Sequence, residues 1–285
     1  MSADADPDVG RMLTLNLVGA GHVGRVLGRR FAASGALLVQ DVLTRSMESA
    51  REAVAFIGAG TAVASHGALR RADVTMLAVG DDRIVPACQA LADAVALDGA
   101  IVFHCSGALA AGALAPARLA GARVASVHPV RSFADPEAVA RAFDGTFCGV
   151  EGDAAALAVL CAALEAAGAR PVMIDAQAKT VYHAAAVFAS NYLVTLLDTA
   201  LRAYQAAGID EAVARQLVQP LVTETVANVL RLGPAQALSG PLARGDLATV
   251  ARQQEAVERW DGAAGDLYRA LVAPTAALAA RRRGR

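Results

Sequence analysis

Short apolar runs rich in Val, Ile and Leu alternate with helical stretches through the first 175 residues. The strand-like runs cover 13–18, 39–44, 62–64, 74–79, 101–104, 123–127, 146–150 and 171–174, and a helix spans 22–33. Strands separated by helical stretches predict parallel βαβ units with right-handed crossovers. After Asp175 the strand signal stops. Residues 178–206 read as one long helix, 211–232 as a second with a bend at Pro220, and 246–260 and 263–280 as two more. The pattern predicts a doubly wound α/β Rossmann domain with a mostly parallel sheet over 13–175. An all-α domain over 176–285 follows it, and a disordered lead-in over 1–12 precedes it.

Gly19-Ala20-Gly21-His22-Val23-Gly24 is a G-x-G-x-x-G directly after the first strand, opening a helix. Glycines permit a tight turn, close approach of backbone to a pyrophosphate, and close helix–strand packing; the helix N-terminus presents its positive end to the phosphates. A dinucleotide is therefore expected on Gly19, Gly21, His22, Val23 and Gly24. The end of strand two selects the cofactor. If it ends at Thr44, Arg45 and Ser46 sit over the adenosine ribose and suit NADP(H); if it ends earlier, Asp41 takes that place and suits NAD. Val42 and Leu43 read as strand interior, which favours NADP(H). Val79-Gly80, after strand four, is expected beside the cofactor, and Asp81 or Asp82 caps the next helix.

Carbonyl chemistry on such a scaffold needs groups that hold the substrate and donate a proton. Strand five ends at His104-Cys105-Ser106-Gly107 and strand six at Ser126-Val127-His128-Pro129, so Ser106 and His128 are candidate substrate contacts, each weighed against turn and cap hydrogen bonding. His104 lies further back and reads as a core residue. On the long helix, Lys179 and His183 are four apart and share a face, with Ser190 and Asn191 further along. Facing a cleft, this stripe supplies a proton donor from Lys179 or His183 and a substrate contact from Asn191; facing inward, it is a hydrogen-bonded domain seam. Arg244, in the turn-rich loop before Asp246, suits a substrate carboxylate.

Composition sharpens one point. Of 26 basic Lys and Arg residues, Lys179 is the single lysine. Arginine does not give up its proton and lysine does, so this position is expected to need an amine. A net charge of −1 offers no footprint for nucleic acid. The Arg281, Arg282, Arg283 and Arg285 tail reads as a solvated helix end. Mean hydropathy is positive, yet the most apolar stretch, 181–197, contains His183, Ser190, Asn191 and Tyr192, so no membrane partner is expected. The acidic N-terminus lacks the order of a signal peptide, and a cytoplasmic location is expected. The four cysteines show no zinc-ligand spacing, so no metal is expected. Cys105 stands beside the candidate loop.

With Gly19–Gly24, His104-Cys105-Ser106-Gly107, 126–133, 182–191 and 240–246 in view, the chain resembles the Rossmann-like proteins that carry a C-terminal DUF2520 domain. The resemblance implies an NADP-binding fold, a helical domain like that of 6-phosphogluconate dehydrogenase, and a homodimer formed through that domain. Relatives include ketopantoate reductases, pyrroline-5-carboxylate reductases and β-hydroxyacid dehydrogenases. In some of these a Lys followed four residues later by Asn acts on the substrate oxygen; Lys179 matches the Lys, while His183 stands where the Asn would be. His128-Pro129 is similar to a pair in prephenate dehydrogenases whose His contacts a substrate hydroxyl. The expected activity is NADPH-dependent reduction of a small carbonyl compound, a 2-oxo acid such as ketopantoate. An imine reductase, a hydroxyacid dehydrogenase and a non-catalytic NADP sensor are the alternatives.

Overall fold

A computed structural model describes residues 11–283. The expected lead-in therefore lies, apart from Arg11 and Met12, outside the described residues, as does Arg285. The α/β region runs β1 (Thr14–Val18), α1 (His22–Ser34), β2 (Leu38–Leu43), α2 (Met47–Ile57), β3 (Thr61–Val63), β4 (Val74–Leu77), α3 (Asp81–Ala94), β5 (Ile101–His104), α4 (Ala115–Leu119), β6 (Arg123–Pro129), α5 (Pro136–Arg141), β7 (Phe147–Gly152), α6 (Ala154–Ala166) and β8 (Arg170–Met173). Eight strands form one sheet in the order β3-β2-β1-β4-β5-β6-β7-β8. Neighbours are parallel except β6 and β7, which pair antiparallel. The uniform βαβ reading fails at that point. The short α5 packs against α1, and its segment returns the chain to the edge where β6 ended, so β7 runs back.

Helices cover both faces, as parallel strands require. On one side Leu15, Leu17, Phe103 and Val127 meet Val26, Leu27 and Phe31 of α1 and Leu160 and Leu164 of α6. On the other, Val18, Leu77, Val102 and Val124 meet Ile84, Cys88 and Leu91 of α3 and Ala117 of α4. The carboxyl ends of β1, β2, β4, β5 and β6 consequently share one edge, clear of both layers.

The remaining elements are α7 (Lys179–Ala189), α8 (Asn191–Ala206), α9 (Glu211–Leu232), α10 (Pro234–Ala237), α11 (Pro241–Arg244), α12 (Leu247–Trp260) and α13 (Gly262–Arg283). The chain divides into compact units after Phe188, where the sequence pattern placed the domain boundary at residue 175. The difference has a physical origin: α7 is tied to the sheet by a buried Lys179 and by Tyr182. The single helix expected over 178–206 is interrupted at Ser190, whose φ of −124° and ψ of −74° leave the helical region. The run Lys179–Ala206 is long and apolar enough, by length and composition alone, to cross a membrane. Within the second unit few apolar residues are buried: Ala214, Val218, Val250, Ala264 and Ala279.

Candidate active site

A cavity of about 770 Å³ opens over the glycine turn, a size suited to a sizeable organic ligand. Its lining comes from β1 and its turn (Gly19, Gly21), from α1 (Arg25), from the end of β2 (Thr44, Arg45) and α2 (Ser49), from β4 and its turn (Val79, Gly80), and from α3 (Arg83, Pro86). Each glycine has its own reason. Gly19 has φ +84°, and a Cβ there would lie 2.6 Å from the Ala78 carbonyl oxygen; a Cβ on Gly24 would lie 2.7 Å from that of Ala78. Over Gly21 a Cβ would meet nothing within 4 Å, which leaves backbone open to a ligand. These features fit a dinucleotide: an open turn, a helix N-terminus and three arginines. His22 instead bonds through Nδ1 to the Phe133 carbonyl, and His22, Val23 and Gly24 support the turn from behind without lining the cavity.

Asp41 and Arg45 take their places through a local irregularity. Leu15 pairs with Val39 but Leu17 with Val42, so β2 carries one extra residue opposite Asn16. Such a bulge leaves a ladder N–H unpaired. The Asn16 side chain takes it: Oδ1 accepts from the Asp41 N–H at 3.1 Å, while Nδ2 donates to the Arg70 carbonyl at 2.6 Å. The Asp41 carboxylate is buried and pairs with Arg70 at 2.6 Å. It is therefore held inside the sheet, and Arg45 occupies the lip of the cavity. Ser46 caps α2, accepting from the Ser49 N–H; Ser49, one turn on, lines the cavity in its place.

A second polar cluster stands at the carboxyl ends of β5 and β6. His128 Nδ1 and the Tyr182 hydroxyl are 3.0 Å apart. The His128 and His183 rings meet edge to face, 5.5 Å between centres. Both imidazoles close over Gly107, where a Cβ would lie 2.2 Å from His183 Cδ2 and 2.7 Å from His128 Nε2. Gly149, opposite His128 across the β6–β7 ladder, leaves room for the Tyr182 ring. Burial, then the neighbouring His183 and Lys179, push the His128 pKa down to about 4, so this ring is neutral near pH 7. Burial raises that of Tyr182.

Lys179 lies beneath the cluster, with a side chain 1% exposed. Its ammonium donates to Ser126 Oγ and to Glu151 Oε1, the latter at 3.1 Å. Glu151 also accepts from the Ala111 N–H at 2.8 Å. Burial lowers the Lys179 pKa and Glu151 opposes the shift. The structure thus brings Lys179, His183 and His128 together, with the amine enclosed and the imidazoles partly exposed. Ser106 is buried beside them, its Oγ accepting from the N–H groups of Ala108 and Leu109. His104 accepts the Ser106 N–H at Nδ1, so Nε2 carries the hydrogen that reaches the Ala110 carbonyl. Cys105 is partly buried, and burial pushes its thiol pKa up.

Asn191 and Arg244 belong to the second unit. Asn191 begins α8 and Arg244 ends α11, ahead of Gly245 at φ +78°; both are exposed. Among the described residues no group of three or more His, Cys, Asp or Glu is placed to hold a metal ion. Sequence reasoning missed Arg25, Ser49, His66 and Arg83 in the cavity, and Tyr182 and Glu151 in the cluster. Tyr182 carried a local signal, three residues after Lys179 on one helix face; Glu151 carried none.

Residues 3–129 match the model of a Rossmann-like domain, and residues 146–275 match that of DUF2520, a domain of unknown function. No curated protein matches the chain in sequence. Among solved structures, protein TM1727 from Thermotoga maritima is 28% identical, with a TM-score of 0.73 over 95% of this chain and 100% of its own. The imine reductase from Myxococcus stipitatus in complex with NADP+ shares the fold at 18% identity, with a TM-score of 0.64 over 94% of this chain and 93% of its own. The pyrroline carboxylate reductase from Plasmodium falciparum with NADP bound does so at 13% identity, with a TM-score of 0.58 over 94% of this chain and 100% of its own. In sequence the chain thus matches a Rossmann-like domain followed by a DUF2520 domain.

Proposed function

We propose that this chain is an NADPH-dependent reductase of a small carbonyl compound. The observation that carries the reading is the cationic cavity over the glycine turn, with Arg45 at its lip and Asp41 locked inside the sheet. An acid at the end of β2 would suit NAD; an arginine there suits the 2′-phosphate of NADP(H). The NADP complexes of the imine reductase and the pyrroline carboxylate reductase support the same cofactor.

NADPH supplies a hydride when bound. The chain's residues do the rest. The backbone of Gly19 and Gly21 and the α1 N-terminus would hold the pyrophosphate, and Arg45 with Ser49 would take the 2′-phosphate end, Ser46 being engaged as the cap of α2. Val79 and Gly80 let the dinucleotide pass. His128 holds the substrate oxygen through its Nε2 hydrogen, and His183 gives that oxygen a proton. The Tyr182 O–H donates to His128 Nδ1, which keeps the ring hydrogen on Nε2, next to His183. Lys179 acts through them as a positioning residue, since its amine is enclosed by Glu151 and Ser126. Ser106 orients the substrate, a 2-oxo acid such as ketopantoate; on the second unit the exposed Asn191 and Arg244 carry groups of the kind that bind a substrate oxygen or carboxylate. Reduction of an imine and oxidation of a hydroxy acid use the same scaffold, and a cofactor sensor would bind without turnover.

The second unit is proposed to pair with its counterpart in a second copy of the chain, forming a soluble cytoplasmic homodimer. A helical unit with so few buried side chains needs its apolar surface covered.

The test is binding and turnover together. Wild-type protein is expected to bind NADPH more tightly than NADH, and Arg45→Ala to weaken NADPH by about 10-fold or more with little effect on NADH. NADPH absorbance followed against ketopantoate, cyclic imines and hydroxy acids separates the substrate classes. Tighter NADH binding would overturn the cofactor assignment, and binding without turnover on any substrate would leave the sensor reading.

A further inference from the structure

Among the described residues, Nε2 of His66 is the buried side-chain nitrogen or oxygen that lacks a hydrogen-bond partner. Buried polar groups in folded proteins are paired almost without exception, so an unpaired one beside a ligand cavity is a group left free for the ligand. His66 opens a short 3-10 turn, His66–Ala68, after β3, and that turn packs against α3. His66 lines the same cavity as Arg45, Ser49 and Arg83.

Strand order says which end of the ligand it meets. β3 is the sheet edge next to β2, and β2 lies next to β1. A dinucleotide whose pyrophosphate rests on the turn after β1 and whose adenosine ribose lies over the end of β2 has the loop after β3 beyond that ribose. The charges there favour an anion: Arg25, Arg45 and Arg83 line the cavity against a single acid, Asp82. The wall contributed by Pro86, Ala87 and Ala90 of α3 is apolar and suits the adenine ring. Burial holds the His66 pKa below its usual value, so the free ring is a neutral donor or acceptor with no counter-ion to displace.

We propose that His66 donates its Nε2 hydrogen to the 2′-phosphate of the adenosine ribose, closing a clamp with Arg45 and Ser49 that sets the preference for the phosphorylated dinucleotide. The assignment rests on the NADP(H) reading given above.

The experiment is a binding titration, without turnover, of NADPH, NADH, adenosine 2′-monophosphate and adenosine 5′-monophosphate. It uses wild-type full-length protein, His66→Leu and His66→Gln, with thermal melting to show that each variant is folded. His66→Leu is expected to weaken NADPH and adenosine 2′-monophosphate about 10-fold and the two unphosphorylated probes less than about twofold. His66→Gln, which keeps a donor, is expected to recover most of that loss. If His66→Leu does not fold, the shorter His66→Asn replaces it with the same expectation. An equal loss for NADPH and NADH, or no loss for either, overturns the role of His66. A wild-type protein that binds neither dinucleotide, or prefers NADH, overturns the cofactor reading itself.

Discussion

Lys179 stands out because every other basic residue is arginine, and the fold accounts for that choice without proton transfer. The compact ammonium fits between Ser126 and Glu151 with 1% of the side chain exposed; a planar guanidinium has neither the size nor the donor geometry for that space. Lys179→Met is expected to cost roughly 3–5 kcal/mol by leaving the buried Glu151 charge without its counter-ion, and the double variant Lys179→Met/Glu151→Leu to recover most of it. Urea unfolding of the two variants checks this, and equal instability in both would argue against a paired charge. Gly107 allows a second test. An added methyl would meet both imidazoles, so Gly107→Ala is expected to lose roughly 1–3 kcal/mol of stability through overpacking. Turnover should fall further than NADPH affinity, as fluorescence titration and steady-state assay would show. Composition alone was enough to single out Lys179. Its partner was not legible, because Glu151 arrives through the antiparallel β6–β7 register, which no local pattern encodes.

Elements were legible where the pattern is strictly local. Strand β5 and helix α9 have the bounds read from the sequence, and the glycine turn sits where the motif requires. Illegible features depended on one side chain replacing a backbone partner. The bulge at Gln40–Asp41 is stabilised by Asn16, and it decides that Asp41 stays in the sheet while Arg45 reaches the cavity. Asn16→Ala removes the acceptor of a buried N–H, at an expected cost of about 1–3 kcal/mol. It should also narrow the ratio of NADPH to NADH affinity as the end of β2 loosens. A stable variant with an unchanged ratio would detach the bulge from cofactor choice. The interruption at Ser190 was hidden for a similar reason: the surrounding alanines and leucines all favour continuation.

At the scale of the molecule, the contrast in burial matters most. The sheet region has two apolar layers, whereas α8 has no buried residue, and that asymmetry motivates the proposed homodimer. Acid stability is a separate global property. His128 has a folded pKa of about 4 against 6.5 when unperturbed, so between those values the unfolded chain binds a proton that the native ring does not. Stability should therefore fall as pH drops from 6.5 toward 4. His128→Asn should flatten part of that slope in melting curves, leaving the contributions of His66 and His104, whose pKa values burial also lowers. An unchanged slope would place the acid lability elsewhere. The enclosed Lys179 also has a practical use. The folded surface offers acylating reagents no side-chain amine, so a brief pulse of such a reagent modifies this chain at Lys179 only when α7 lifts from the sheet. The mass of one tryptic peptide then becomes a clock for that opening.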